Sequence, residues 1–133
     1  MDTTSSLQLP GARLERIERS VDDITLHFSL VHLVQVMEDT FQDSLWNQAC
    51  DLVIRNVEID GELPICPCEI QGGDMINNIY TYRDHAPLPI DWNGSVSCKV
   101  TVAGSGAVFS IDGTAMQMDM IDHPRYIRHI DKI

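Results

Sequence analysis

The stretch Ile24–Val36, ITLHFSLVHLVQV, decides the fold class of this chain. From Ile24 to Phe28 every second residue is apolar, and polar residues stand between them. Because successive side chains leave a β-strand on opposite sides, this alternation predicts a strand with one buried face. The apolar register continues to the end of the stretch, at Leu30, Val34 and Val36.

The second half of this stretch is apolar on the other parity as well. Val31 and Leu33 occupy positions that would otherwise face outward, which predicts a strand covered on both sides from residue 31. One polar residue, His32, falls on the otherwise apolar register. A histidine in such a position is more often a hydrogen-bonded core residue than a ligand or a base.

The length of 133 residues predicts a single domain with a sizeable core. Residues 1–11 are polar and end in Pro10-Gly11, so we expect a flexible N-terminal tail, followed by a single β-domain over residues 12–133. Residues 13–19 have apolar residues at helical spacing, yet the turn-like residues 20–23 lead directly into the strand that starts at Ile24. A strand paired with it as a hairpin is the simplest connection, and we favour it over a helix.

The rest of the chain reads as short strands separated by turns. Cys50, Leu52 and Ile54 share one face, and alternation returns at residues 95–102. Prolines and glycines disfavour a long central strand at residues 63–74, and the Pro-rich segment 83–94 is the longest candidate loop. Residues 125–133 form a last short strand or an extended tail. About seven to eight strands without a long amphipathic helix predict an all-β fold, an antiparallel β-sandwich or a small β-barrel.

Charge and composition exclude several function classes. The net charge is −11, and a chain this acidic repels nucleic-acid phosphates and anionic lipid. We therefore expect neither nucleic-acid nor membrane binding, but a protein partner at an acidic surface, for which a basic protein is one candidate. No signal peptide and no run of the ~20 apolar residues needed for a membrane helix is present, which predicts a soluble cytoplasmic protein.

Cys66-Pro67-Cys68 is the most conspicuous short motif. Two cysteines at this spacing project to the same side of an extended chain and could bind a soft metal or form a strained disulfide. A closed zinc site needs two further thiolates or imidazoles, and the chain has no second pair at such spacing. Cys50 and Cys98 lie on the inward parity of predicted strands, where buried cysteine is common. We expect four free thiols and no metal.

No residue pattern points to catalysis. Asp84-His85 and Asp122-His123 are sequence neighbours, and neighbouring side chains on an extended chain point apart. The chain lacks a Gly-x-Ser-x-Gly nucleophile elbow, and Gly104-Ser105-Gly106 is a turn without the lysine of a phosphate loop. We therefore predict no catalytic, cofactor-binding or metal-binding residue. Trp92, in the Pro-rich segment, is either an exposed contact residue or a lid over one end of the core.

Three functional hypotheses follow. The first is a non-catalytic binding protein with an acidic surface, of the accessory, adaptor or inhibitor type. The second is a small ligand-binding barrel or enzyme that uses His32 and the Pro-rich loop 83–94 at its mouth. The third is a structural subunit that assembles through its edge strands. Independently of these hypotheses, we expect a homodimer to which residues 125–133 contribute, because this closing segment is basic and the middle of the chain is acidic.

Overall fold

The computed structural model describes residues 3–37 and 41–131, and all regular secondary structure in them is β-strand. This confirms the all-β class. The described residues form nine strands: β1 (Thr3–Arg19), β2 (Ile24–Met37), β3 (Gln42–Arg55), β4 (Glu58–Asp60), β5 (Cys68–Asn77), β6 (Tyr80–Arg83), β7 (His85–Pro87), β8 (Asp91–Val102) and β9 (Val108–Asp131).

These strands make one antiparallel sheet that curls into a partial ring. The order along the sheet is β6-β5-β8-β9-β3-β2-β1-β7, and β4 pairs with β9. The ring closes where β1 also pairs with β5, Arg13 opposite Glu69 and Leu14 opposite Cys68. Apolar side chains fill the interior, with Leu14, Leu26 and Phe109 among its fully buried members. The molecule is therefore a small barrel-like sheet around one core.

The first strand confirms one prediction and corrects another. Residues 13–19 are strand and pair with β2 as the expected hairpin. Residues 3–11, predicted as a flexible tail, also belong to β1, and Leu7 and Leu9 are buried. Leu7 lies opposite Leu33 on one side and Ala86 on the other, so its burial holds this segment in the sheet. Pro10-Gly11 falls in a register irregularity within the strand, where Gly11 has a φ of 84°.

The register predicted for the second half of β2 is wrong, because the strand contains a bulge. Phe28 pairs with Cys50 and Val31 with Gln48, so β2 advances by one residue more than β3. An extra residue moves every following side chain to the other face. Val31 and Leu33 therefore continue the buried face, and Val34 and Val36, assigned to that face from the sequence, are only half-buried.

The Pro-rich segment 83–94 is ordered rather than structureless. It contains β7, whose Ala86 is completely buried, and the beginning of β8 with the buried Trp92. Asp84 connects this segment to β5: its backbone N–H donates to Gly73 O, and its Oδ1 accepts from the N–H of Gly73. Its backbone carbonyl also accepts from the N–H of Leu9. These bonds tie the segment to both β5 and β1.

The last strand runs far beyond the ring. Residues 125–131 belong to the continuous strand β9 and pair with residues 42–47 of β3, while residues 132–133 and 38–40 lie outside the described part. Four strands continue together here. We name them the sheet extension, composed of residues 3–6, 33–37, 42–48 and 119–131. No helix within the described residues is long and apolar enough to cross a membrane.

Candidate functional site

His32, proposed for a barrel mouth together with loop 83–94, lies on the outer side of the sheet, whereas Ala86, Ile90 and Trp92 of that loop are buried in the core. His32 lies opposite Gln8 of β1, and Gln8 in turn lies opposite His85, so the two histidines flank one glutamine. The imidazole of His32 packs close to Gly11, where a Cβ would lie 3.2 Å from its Nε2. Its Nδ1 is buried and has no hydrogen-bond partner among the described residues. The core side chains fill the space inside the ring.

The cysteines are free thiols in the structure. Burial raises the pKa of Cys66 and raises that of Cys68 to about 11, where the neighbouring Cys66 contributes further. Burial raises the pKa of Cys50 and of Cys98 to about 12. Within residues 3–37 and 41–131, no group of three or more His, Cys, Asp or Glu side chains is arranged to hold a metal ion. These are poorly nucleophilic thiols, because the thiolate is the reactive form.

His27 lies between two carboxylates, and this arrangement was not predicted from the sequence. His27 Nδ1 lies 2.6 Å from Asp51 Oδ1, and its Nε2 lies 3.6 Å from Glu18 Oε1. A hydrogen bond from Arg16 is the main reason that the pKa of Glu18 lies below its usual value. The arrangement spans β1, β2 and β3, so only the strand order brings it together. It resembles the base half of a catalytic triad, but none of its hydrogen bonds reaches a serine, threonine or cysteine.

The inner face of the sheet extension carries a row of rings. Trp46 lies opposite Leu33 on one neighbouring strand and opposite Tyr126 on the other. The Trp46 and Tyr126 ring centroids are 5.4 Å apart in an edge-to-face arrangement, and those of Tyr126 and His129 are 5.2 Å apart. Trp46 Nε1 donates to Ser44 Oγ at 2.8 Å, and the Tyr126 hydroxyl is hydrogen-bonded to His129 Nδ1. These partners hold the rings in place on an open surface.

Two concave regions lie along the same face, one toward each end of this row. The first has a volume of about 410 Å³ and lies between the extension and residues 88–90; its walls include Leu33, Gln48, Pro89 and Met120. The second, of about 470 Å³, lies toward the outer end and is lined by Met37, Phe41, Gln42, Ser44, His129 and Asp131. Both mix apolar surface with amide, hydroxyl and carboxylate groups. Such a surface suits a polypeptide better than a purely apolar ligand.

The outer face of the extension is partly apolar too. Val34 lies opposite Leu45, and Leu45 opposite Arg128. Three further apolar side chains on this part of the sheet are half-buried: Val36, Leu45 and Ile130.

Of the eleven large apolar side chains that are exposed in the described part of the chain, six lie in or beside the extension: Met37, Phe41, Met120, Ile121, Tyr126 and Ile127. Exposed apolar side chains that cluster in this way mark interaction surfaces.

This surface was not predicted from the sequence. Trp92, the aromatic residue considered there as an exposed contact, is buried at 8 % exposure and lies against Tyr82 with ring centroids 6.0 Å apart. The one available signal was the apolar character of both parities after residue 31, which predicted a strand covered on two sides.

No protein-family model, curated protein or solved structure matches this chain.

Proposed function

We propose that this chain is a non-catalytic protein-binding domain and that the sheet extension is its binding surface. One observation carries the proposal: four strands continue past the ring and display apolar side chains on both faces. Burying apolar surface is the main driving force of protein association, and a partner would provide the cover that the described chain leaves incomplete. The rings of Trp46 and Tyr126 supply the kind of aromatic anchor that dominates interface energetics.

The proposed partner is a basic protein that presents an apolar segment. The net charge of −11 favours the approach of a cationic partner, while apolar contacts in the concave regions would hold it. Asp131 lies at the rim of the outer region, where its carboxylate accepts a hydrogen bond from Gln42 Nε2 at 2.8 Å and could also receive a cationic side chain of the partner. The polar groups that line both regions suit main-chain amides of the bound segment.

A binding role agrees better with these observations than the ligand-binding barrel does. Core side chains occupy the ring interior, and His32 lies outside it against Gly11. The four free thiols agree with a reducing compartment, and we include a cytoplasmic location in the proposal.

Site-specific photocrosslinking in the native host tests this function. A photoreactive amino acid replaces Met37 in the extension or Phe41 beside it, both of which line the outer concave region. Val21 and Ile79 are matched controls, since these are also large, exposed and apolar but lie elsewhere. We expect one recurrent protein adduct from the extension positions and none from the controls. Equal adducts at both sets, or adducts from the controls alone, would contradict the proposal.

Affinity for the identified partner then provides the quantitative test. Replacing Trp46 by serine removes the central ring, and a hot-spot residue of this type costs at least ~2 kcal/mol, or about 30-fold in affinity. Val21→Ser at a turn, where the side chain is 96 % exposed, serves as the control and leaves affinity unchanged. Isothermal titration calorimetry measures both. An unchanged affinity for Trp46→Ser would remove the extension from the binding surface.

A further inference from the structure

One edge of β9 is unpaired over a long distance. On one side β9 pairs with β3 as far as Asp131, but on the other side its pairing with β8 stops at Gln117. The N–H of Met118 still donates to Ile90 O at 2.9 Å. From residue 119 to residue 131 no other described segment pairs with this edge. An open strand edge presents unpaired N–H and C=O groups to a second chain.

The sequence of this edge is symmetric about its centre. Residues Asp119–Arg128 read DMIDHPRYIR. From Asp119 inward, the order is one charged residue, two apolar residues, a second charged residue and then His123. From Arg128 inward, the order is the same and ends at Pro124. The charges invert across the centre, since the first half carries two aspartates and the second half two arginines. This charge order brings the aspartates of one copy close to the arginines of the other when two copies run antiparallel.

The structure leaves these side chains available. The four apolar members, Met120, Ile121, Tyr126 and Ile127, are between 38 % and 49 % exposed. Arg125 and Arg128 are exposed and belong to none of the ion pairs formed within the described part of the chain. Asp119 lies directly opposite Asp51 of β3, a like-charge arrangement that a nearby cation would relieve.

We propose that two copies of the chain pair antiparallel through this edge, about a twofold axis at the central bulge, residues 122–124. Asp119 and Arg128 lie on the outer face of β9, opposite Asp51 and Leu45 of β3. Asp119 therefore faces Arg128 of the second copy, and this ion pair occurs twice, because a twofold interface repeats every contact. The apolar side chains of the inner face match as well. Met120 and Tyr126 lie opposite Cys50 and Trp46 of β3, so Met120 meets Tyr126 of the second copy.

The centre of the edge makes this pairing selective. Residues 122–124 bulge out of the ladder with β3, where Gln48 Nε2 donates to the carbonyls of Ile121 and Asp122 at 3.3 and 2.9 Å. Pro124 has no N–H, and Asp122 has a φ of 60°. Prolines and bulges obstruct indiscriminate pairing of an edge. Recognition therefore depends on the side chains that flank the bulge, and their charge order favours a second copy of the same chain.

This inference goes beyond the proposed function and does not depend on it. Edge pairing would join the two extensions into one continuous sheet and leave the inner and outer faces of each open to a partner. Substitutions at Asp119 and Arg128 therefore test the edge, whereas Trp46→Ser tests the inner face.

Charge reversal with mass measurement by sedimentation equilibrium at low salt provides the test. The full-length chain is expected to have the mass of two copies. Asp119→Arg and Arg128→Asp each turn two ion pairs of the dimer into like-charge contacts, so each should raise the dissociation constant about tenfold or more. The double variant D119R/R128D restores opposite charges and should dimerise like the original chain. A mixture of the two single variants should form a mixed dimer.

Two matched controls separate position from net charge. Asp112→Arg lies on the same strand before the free edge, and Lys99→Asp lies on β8; each changes the net charge as much as its counterpart. Both should remain dimeric. Circular dichroism verifies that each variant is folded, which is expected because all these positions are exposed. A monomeric full-length chain at high concentration, or a folded D119R/R128D variant that stays monomeric, would overturn the proposal.

Discussion

Phe28 and Thr25 show how one strand divides its side chains between two environments. Phe28 is 5 % exposed inside the ring, where it lies opposite Leu14 of β1 and Cys50 of β3. Thr25 lies on the opposite parity of the same strand, half-buried at the outer surface. A cavity would remain where an aromatic ring is removed from the interior, whereas the outer position would be filled by solvent.

Phe28→Ala should therefore lower the free energy of unfolding by about 3–5 kcal/mol. Thr25→Ala, three residues away on the other face, should lower it by less than about 1 kcal/mol. Urea denaturation followed by circular dichroism measures both. Equal losses for the two variants would mean that the faces of β2 are assigned incorrectly.

The buried thiols of Cys50 and Cys98 predict a loss of stability in alkaline solution. Burial raises the pKa of each to about 12 in the folded chain, while an unfolded thiol titrates near ~8.5. The folded state thus retains protons that the unfolded state releases. The contribution of these protonated thiols to the free energy of unfolding is fully present below the pKa of an unfolded thiol. It is lost as the pH rises from there toward the folded pKa of about 12. Urea denaturation at pH 8 and pH 10 should show the decline.

A C50A/C98A variant is the control for this pH dependence, because tyrosines and lysines also titrate in alkaline solution. Its free energy of unfolding should fall less steeply between the two pH values than that of the original chain. Identical slopes would assign the alkaline loss to other groups.

At the scale of single strands, β5 depends on a close approach of two backbones. Gly73 pairs with Val100 of β8, and a Cβ added there would lie 2.1 Å from the backbone oxygen of Lys99. A backbone atom cannot rotate away as a side chain can. The double glycine, which in the sequence argued against a long strand, is therefore what allows β5 to lie between its neighbours.

Gly73→Ala should consequently lower the free energy of unfolding by about 2 kcal/mol or more, since β5 and β8 would have to separate. Gly106→Asn is the control. Gly106 has a φ of 71° with open space around it, and asparagine tolerates that conformation, so the loss should stay below about 1 kcal/mol. Thermal unfolding of the two variants compares them. A Gly73→Ala chain as stable as the control would rule out the close approach.

At the scale of the whole molecule, the strand order brings like charges together. Glu58 of β4 lies opposite Asp112 of β9, as Asp51 lies opposite Asp119. Cross-strand pairs of like charge are destabilising, and a net charge of −11 adds a general repulsion. The acidic composition therefore lowers the free energy of unfolding, and added salt should reduce this loss.

Glu58→Lys should raise the free energy of unfolding by about 0.5–1 kcal/mol at low salt, because it replaces a repulsive pair with an attractive one. Glu62→Lys makes the same change in net charge at an exposed position just after β4 and should have a smaller effect. Salt should narrow the difference between the two, since it screens exposed charges. An equal gain from both variants would point to net charge alone rather than to the Glu58–Asp112 pair.

The sequence by itself determined the fold class and the inward faces of several strands. The alternation in Ile24–Phe28, at Cys50, Leu52 and Ile54, and in the strand that holds Cys98 agrees with the observed burial. These predictions succeed because period-two alternation follows from the local geometry of an extended chain. The strand at residues 13–19 was found because a short turn leaves a hairpin as the simplest connection.

Only the tertiary structure decided the order of the strands, the closure of the ring and the location of the candidate binding surface. Leu14 meets Cys68, and Trp46 meets Tyr126, across pairings that join distant parts of the chain. A periodic pattern reports which face a side chain occupies but not which strand lies beside it. The bulge after Phe28 was not predicted, because apolar residues on both parities after residue 31 agree equally well with a strand covered on two sides, and the extra residue is defined only relative to β3. For the same reason, residues 3–11 looked like a tail until the partners of Leu7 were known.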